Sequence, residues 1–266
     1  MDTGTAQRNA FVKDGYVVVP DLIGPEALAE LDRMADRLLD GELKPQLPYE
    51  GHVPDHFYTF WEPAAEGRSD LPRRDRVRLM ANMCRHHPYF RALVRHPAIY
   101  RVLSCLFGTG VRVFSDSLFM KPARHGIEAA MHQDTAFWPK IDPNAINFWL
   151  AIDPATVENG CLHVIPGTHG TDLPHRDDPV QGHVLSDKQV DVGRLIPLEM
   201  EPGSAVFFDS SLVHRSRPNH SARSRRAYAV VYGAETLRHV EPWNINTIAE
   251  ATPSYEFELI EPPVGS

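Results

Sequence analysis

The feature that most limits the possible folds is a long series of short β-strand segments that follows a helical region. From Val111 onward, runs of branched and aromatic residues alternate with turn sequences such as Glu158-Asn159-Gly160 and Glu201-Pro202-Gly203. About eight short strands after several helices are typical of a double-sheet jelly roll with helical decoration. The sequence therefore predicts a mainly β fold with flanking helices.

The individual elements follow from local patterns. Apolar residues at helical spacing, with Pro near helix starts and Gly near helix ends, predict the helices. Residues 158–160 are predicted to form a hairpin turn between two strands, and the Pro-rich residues 43–74 and polar residues 168–194 are predicted loops. The predicted helices span residues 25–41, 76–84, 88–94 and 97–107, and the predicted strands span residues 16–19, 111–114, 117–121, 145–152, 161–167, 195–198, 204–208 and 225–233.

Composition excludes several classes of protein. The 266 residues are 42% hydrophobic, enough for a sizeable core, and are expected to form a single domain. The net charge is −8, with 27 basic and 35 acidic residues, so a nucleic-acid-binding face is not expected. No apolar run predicts a membrane span, and the polar N-terminus predicts no signal peptide. Cys84, Cys105 and Cys161 lie far apart and form no disulfide pattern, which favours a reducing cytoplasm.

A short motif, His132-Gln133-Asp134, suggests metal chemistry. On a β-strand, residues two apart point to the same face, so an imidazole and a carboxylate would lie side by side. These are two of the three ligands in a 2-His-1-carboxylate iron site, which leaves coordination positions open for oxygen chemistry. A His–Asp hydrogen bond on a surface strand explains the motif equally well.

A third ligand is expected further along the chain. His214 follows a predicted strand, and Arg225 lies eleven residues later at the start of the last clear strand. Period-2 alternation places Arg225 on the face of Ala227 and Ala229, which leaves room for a bound carboxylate beside the guanidinium group. The histidines that compete with His214 for the third ligand position are His163, His169, His175, His183 and His220.

Four ordered motifs together resemble the phytanoyl-CoA dioxygenase family of Fe(II)/2-oxoglutarate-dependent oxygenases. The resemblance covers roughly residues 8–235 as the core, followed by a C-terminal extension. It implies a double-stranded β-helix, which is a cupin-like jelly roll. The motifs are His132-Gln133-Asp134, then Glu158-Asn159-Gly160-Cys161-Leu162-His163-Val164-Ile165-Pro166-Gly167-Thr168-His169, then His214-Arg215-Ser216-Arg217-Pro218-Asn219-His220-Ser221, and finally Arg225.

The resemblance also implies roles for individual residues. His132, Asp134 and His214 are expected to bind Fe(II) and to be the catalytic centre. The cosubstrate 2-oxoglutarate is expected to contact four residues: Arg225 at its distal carboxylate, Ser216 beside it, Trp149 along the pocket, and Arg78 where some members carry a lysine. Arg78 and Lys121 are the next basic residues in line for the Arg225 role. With O2, such an enzyme hydroxylates or otherwise oxidises a small organic metabolite and releases succinate and CO2.

Substrate contacts are expected from aromatic residues in loops. Residues 49–61 are an aromatic-rich segment that we interpret as part of a lid over the iron, because long irregular loops in compact domains are often lids. The alternative is that these aromatics cap the helices against the sheet. The expected substrate residues are Phe57, Trp61, Phe137 and Trp138.

Two other functions are compatible with the residues. One is a cupin-like metal-binding protein that is not an oxygenase, which would not need Arg225 and Ser216 arranged for a dicarboxylate. The other is a hydroxylase of a peptide substrate. Neither the substrate nor the oligomeric state follows from the sequence, because specificity in such a fold depends on its loops.

Overall fold

The computed structural model describes residues 3–48, 51–137, 141–142, 145–239 and 258–260. The helices are α1 (Thr3–Asp14), α2 (Pro25–Leu39), α3 (Met83–His86), α4 (Pro88–Leu93) and α5 (Pro97–Phe107). The strands are β1 (Tyr16–Val19), β2 (Tyr58–Trp61), β3 (Val77–Ala81), β4 (Val111–Lys121), β5 (Ala129–His132), β6 (Ile141–Asp142), β7 (Ile146–Ala151), β8 (Leu162–Val164), β9 (Arg176–Asp178), β10 (Gly182–Val184), β11 (Ile196–Leu198), β12 (Ala205–Asp209), β13 (His214–Ser216), β14 (Arg225–Ala234), β15 (Arg238–His239) and β16 (Glu258–Ile260).

Two antiparallel sheets dominate the described residues. The large sheet has eight strands in the order β1-β12-β7-β14-β4-β3-β2, with β16 added beside β4. The small sheet has four strands in the order β11-β8-β13-β5. The predicted mainly β fold with flanking helices is confirmed, and the pairing of these two sheets is that of a double-stranded β-helix.

The two sheets pack face to face through one set of side chains. Along β7, Phe148 and Leu150 point to one side of the large sheet, and Trp149 and Ala151 point to the other. The second side packs against Leu162 and its neighbours in the small sheet. Residues on the inner side of β7 therefore face the space between the sheets, where the functional side chains also lie.

Helices cover the outer side of the large sheet. Helix α2 buries Leu31, Met34, Ala35 and Leu38, a spacing of three and four residues that forms one apolar stripe. These residues join a core cluster with Phe148 and other outward-facing residues of the sheet. This packing leaves the opposite face of the sheet free to form the site. None of the described helices has the length and apolar character needed to cross a membrane.

The helix predicted at residues 76–84 is wrong. The chain forms β3, which pairs with β4 from Leu79 opposite Phe119, and then the short helix α3. Asn82, with a left-handed φ of 62°, separates these two elements. Pairing with a neighbouring strand outweighs the helical preference of a short segment. The predicted helices at residues 25–41, 88–94 and 97–107 are confirmed as α2, α4 and α5.

The hairpin predicted at residues 158–160 is also wrong. β7 pairs with β12 and β14 in the large sheet, whereas β8 pairs with β11 and β13 in the small sheet. The turn therefore carries the chain from one sheet to the other. Gly160 is required there, because its φ is +81° and a Cβ would lie 2.2 Å from the carbonyl oxygen of Arg217.

Three smaller differences concern neighbouring segments. The two strands predicted within residues 111–121 are the single strand β4, and α1 precedes the first predicted strand. The predicted loop at residues 168–194 contains a hairpin of β9 and β10. Short polar strands such as β9 carry no apolar alternation, so periodicity does not reveal them.

Candidate metal centre

Three potential metal ligands converge at the end of the small sheet. His132 is the last residue of β5 and His214 is the first of β13, and the two are direct partners across these strands. Asp134 follows in a short 3-10 helix, so it does not lie on the strand as the sequence suggested. Its Oδ1 is 3.1 Å from Nε2 of His132, and its Oδ2 is 3.7 Å from Nε2 of His214. We call these three residues the metal triad.

The backbone fixes the orientation of both imidazoles. Nδ1 of His132 lies 2.6 Å from the carbonyl oxygen of Ala130, and Nδ1 of His214 lies 2.9 Å from that of Leu212. A carbonyl oxygen only accepts, so each Nδ1 carries a proton, and each Nε2 is the nitrogen that faces Asp134 and is available to a metal ion. Such contacts fix the tautomer of metal-binding histidines.

Gln133, between the two ligands, anchors this turn from the opposite side and is fully buried. Its backbone N–H donates to Nε2 of His175, and its side-chain oxygen accepts from the N–H of Leu173 at 2.8 Å. Its side-chain amide donates to the carbonyl oxygens of Thr171 and Ser211. Sequence analysis missed this role, because an amide between two ligands has no recognisable pattern.

The charges of the triad suit a divalent cation. Burial and the neighbouring His132 lower the pKa of His214 to about 4, which keeps that imidazole neutral. Burial alone would raise the pKa of Asp134, but His214 and His132 outweigh it and lower the pKa. Burial would lower the pKa of His132, but the hydrogen bond to Asp134 and the charge of that carboxylate outweigh burial and raise the pKa. Two imidazole nitrogens and one carboxylate form the donor set of non-haem Fe(II) sites. In the described part of the chain, this is the one group of three such side chains whose ligand atoms all lie within 4.8 Å of one another.

The competing histidines have other partners. Nδ1 of His163 lies 3.1 Å from the carbonyl oxygen of Cys161, and Nε2 of His169 lies 3.2 Å from that of Val12. His175 supports Gln133 as described above. His183 contacts Asp177, and His220 lines an open cavity together with Arg124 and His125.

Arg225 lies at the start of β14 between the two sheets and is only 3% exposed. One of its terminal nitrogens donates to the carbonyl oxygen of Gly160 at 3.1 Å, and its guanidinium group lies 5.1 Å from the ring centroid of Trp149. Its Nε is buried with no hydrogen-bond partner among the described residues. Burial lowers the pKa of Arg225 to about 10, so the group is still a cation at neutral pH.

The neighbouring residue, Arg226, shows what a paired arginine looks like in this fold. Its side chain points to the other side of β14 and donates to Asp153, and it also pairs with Asp32 and Asp36 of α2. Arg225 has no such carboxylate within the described chain. A buried cation with an unused donor fits an external carboxylate.

Arg225 and the triad face the same interior. Phe208 packs edge to face on His214, with 4.9 Å between ring centroids, and belongs to the same apolar cluster as Trp149. Ser216, two residues after His214 on β13, is also buried. The structure therefore brings His132, Asp134, His214, Trp149, Ser216 and Arg225 together around the space between the sheets.

Arg78 and Lys121 border this region. A terminal nitrogen of Arg78 donates to the carbonyl oxygen of Glu128 at 3.2 Å and to Oε1 of Gln181 at 3.4 Å. Nζ of Lys121 donates to the carbonyl oxygen of Ile127 at 2.6 Å. Beside them lies an open cavity of about 490 Å³, lined by Arg124, His125, Gly126, Ile127, Glu128, Gln181, Pro218 and His220.

The four expected substrate residues have different positions. The Phe137 ring lies 5.2 Å from that of His132, beside the triad. Phe57 belongs to the main core and packs near His87, a position that matches the alternative interpretation as a packing aromatic. Trp61 is 52% exposed on β2, with the guanidinium groups of Arg73 and Arg76 each 5.6 Å from its ring, which accounts for its packing without a substrate.

The remaining substrate expectations fall partly on residues that are not described. Trp138 lies outside the described residues, and so do Tyr49 and Glu50 at the start of the expected lid. The described part of that lid, residues 51–61, includes strand β2 and the buried Phe57. The contact of this segment with a substrate stays a prediction.

Comparisons with a family model and with individual relatives agree on one family. The family model described as phytanoyl-CoA dioxygenase (PhyH) matches residues 11–227. A mouse phytanoyl-CoA dioxygenase domain-containing protein 1 is 29% identical over 192 residues, which are 68% of this chain and 62% of that protein. The aligned region is thus slightly less than two thirds of that relative. The peroxisomal phytanoyl-CoA dioxygenase of rat is 26% identical over 245 residues, covering 88% of this chain and 69% of the relative.

Solved structures share the fold. EctD from S. alaskensis, solved with 2-oxoglutarate and 5-hydroxyectoine, superposes with a TM-score of 0.70 at 22% identity, covering 97% of this chain and 83% of that one. The α-ketoglutarate-dependent carbocyclase SnoK from nogalamycin biosynthesis superposes with a TM-score of 0.68 at 18% identity, covering 98% and 94%.

Proposed function

The chain belongs to the phytanoyl-CoA dioxygenase family, and we propose that it is an Fe(II)/2-oxoglutarate-dependent oxygenase that hydroxylates or otherwise oxidises a small organic metabolite. The observation that carries this proposal is the combination, in one interior, of the metal triad with the buried Arg225, whose Nε has no hydrogen-bond partner among the described residues. A metal-binding protein without oxygenase activity would need only the first of these two features.

The triad is proposed to hold Fe(II) through Nε2 of His132, Nε2 of His214 and the carboxylate of Asp134. The bound ion would supply O2 activation coupled to oxidative decarboxylation of 2-oxoglutarate, with release of succinate and CO2. The protein's part is to present three ligands on one side and to leave the other side open. The carbonyl contacts of Ala130 and Leu212 keep both imidazoles in the required tautomer.

Arg225 is proposed to bind the distal carboxylate of 2-oxoglutarate. Its unused Nε and its position over Trp149 support this role. A guanidinium group can donate two parallel hydrogen bonds to a carboxylate, which fixes the orientation of the acid as well as its position. Ser216 is proposed to donate a further hydrogen bond from the opposite sheet.

The substrate is proposed to enter beside Phe137, which contacts both His132 and His183. The hairpin of β9 and β10, which carries His183, would form one wall and help to exclude water. A small organic molecule is proposed because EctD, which shares this fold, was solved with 5-hydroxyectoine. We also propose a cytoplasmic location, supported by the free state of Cys84, Cys105 and Cys161.

Succinate formation from 2-oxoglutarate tests the proposal. The purified protein with Fe(II) and O2 is expected to form succinate, and addition of the correct metabolite should raise the rate. Asp134→Ala should abolish succinate formation, and the control Asp70→Asn, which changes an exposed carboxylate paired with Arg68, should not. Metal binding by the wild-type protein without any 2-oxoglutarate turnover would contradict the proposal.

A further inference from the structure

The inference concerns Lys121 and rests on the proposed function. Lys121 is the direct cross-strand partner of Arg225, on β4 and β14. Cross-strand partners share one face of a sheet. Both side chains are buried, at 5% and 3% exposure, and both reach Gly160. Arg225 donates to the Gly160 carbonyl oxygen, and a Cβ on Gly160 would lie 2.9 Å from Cδ of Lys121.

The surroundings of Lys121 carry an excess of buried positive charge. Arg225 and Arg78 are the neighbouring cations, and Arg78 also has a buried terminal nitrogen without a hydrogen-bond partner in the described chain. The nearby carboxylates are Glu62, which is buried, and Glu128, which is exposed. The hydrogen bond from Nζ of Lys121 goes to a neutral carbonyl oxygen. Buried cations without enough carboxylates create a site for an anion.

Burial and the two neighbouring arginines lower the pKa of Lys121 well below its usual value. While the region holds no anion, the amine therefore loses its proton more readily than an exposed lysine does. Cys161 does not supply the missing charge, because burial raises the pKa of its thiol to about 11. A carboxylate placed beside Arg225 would favour the charged amine, since an opposite charge within a few ångströms raises the pKa of a lysine.

We propose that Lys121 is a second residue that recognises the distal carboxylate of 2-oxoglutarate, and that it takes up one proton from solvent when that carboxylate binds. Arg225 supplies the fixed charge, and Lys121 supplies a charge that is present only in the complex. No covalent bond changes in this step. The free protein thus avoids part of the cost of holding adjacent buried cations.

Calorimetry under anaerobic conditions tests this inference on the iron-loaded protein. Titration with 2-oxoglutarate in two buffers of different ionisation enthalpy gives the number of protons taken up. We expect close to one proton for the wild-type protein at mildly alkaline pH. Lys121→Met should show no uptake and a Kd raised about tenfold or more, as expected for one hydrogen bond to a charged group. Lys13→Met, which changes an exposed lysine of α1, is the matched control and should behave as wild type.

A second ligand distinguishes a role of Lys121 in recognising the distal carboxylate from a purely structural role. 2-Oxobutyrate has the same keto acid group but lacks the distal carboxylate, so Lys121→Met should leave its affinity unchanged. Equal weakening of both ligands would overturn the inference in favour of a structural lysine. The proton count of the wild-type protein decides the question even if the variant does not fold. Binding of 2-oxoglutarate by the wild-type protein without proton uptake would overturn this inference and leave the proposed function standing. A wild-type protein that binds no 2-oxoglutarate overturns the proposed function as well.

Discussion

At the scale of single residues, Arg225 carries the part of the proposed function that distinguishes an oxygenase from a simple metal-binding protein. Arg225→Ala is expected to raise the Kd for 2-oxoglutarate strongly, since loss of a partly buried charge pair costs about 2–5 kcal/mol. Iron affinity should not change, because Arg225 contacts none of the triad. Calorimetry with each ligand measures both quantities, and Arg223→Ala, an exposed neighbour, is the control. An unchanged Kd would move the role to Lys121 or Arg78.

Sequence analysis proposed His132 and Asp134 from their spacing of two residues, and the resemblance to the phytanoyl-CoA dioxygenase family joined them with His214 and Arg225 in one set. It gave the wrong reason for Asp134, which lies in a 3-10 turn instead of on the strand. It also assigned Phe57 to the substrate, although an aromatic in an irregular segment is as often part of the core. Nothing in a single sequence distinguishes these two cases, because burial depends on partners that are distant along the chain.

At the scale of elements, the hairpin of β9 and β10 is tightly fitted against the site. A Cβ on Gly182 would lie 2.6 Å from Cε1 of Phe137, and Gly182 has a φ of +77°. Gly182→Ala should therefore displace Phe137 and raise the substrate KM, in addition to a backbone cost of about 1–2 kcal/mol. Gly170 has the same φ of +77° but open space around it, so Gly170→Ala isolates the backbone effect. Equal kinetic effects in both variants would contradict a role for this contact.

A second element contact joins α2 to the large sheet through Arg226. Its guanidinium group pairs with Asp153, Asp32 and Asp36, and it is largely buried. Arg226→Met should lower the free energy of unfolding by about 2–4 kcal/mol, because it leaves Asp153 partly buried and unpaired. Denaturant unfolding measures this loss. The Kd for 2-oxoglutarate should stay the same, since Arg226 faces away from Arg225. A weaker Kd at unchanged stability would contradict the separation of these two arginines.

Elements were predicted well where local signals are strong. Helix α5 matches its predicted bounds because Pro97 starts it and Gly108, with a left-handed φ of 69°, ends it. The failures, at β3 and at the turn of residues 158–160, both depend on which strands pair. Local sequence does not specify whether two successive strands join the same sheet.

At the scale of the whole molecule, the large sheet separates a stabilising core from a functional interior. Phe148 is fully buried and packs on Phe207 with 5.1 Å between ring centroids, whereas Trp149 beside it faces Arg225. Phe148→Ala should lower the free energy of unfolding by about 3–5 kcal/mol. Thermal or denaturant unfolding measures this change, and the Kd for 2-oxoglutarate of the folded variant should be unchanged. Trp149→Ala should weaken 2-oxoglutarate binding instead. A weaker Kd in folded Phe148→Ala, or an unchanged Kd in Trp149→Ala, would contradict this division.

The central claim is that the metal triad and Arg225 form one site for Fe(II) and 2-oxoglutarate. The most direct test is a crystal structure grown without oxygen in the presence of both, with anomalous data collected at the iron edge. The predicted result is one iron peak among His132, Asp134 and His214, with a dicarboxylate extending from it to Arg225. An iron peak elsewhere, or an Arg225 paired with a protein carboxylate while 2-oxoglutarate binds at another place, would contradict the claim.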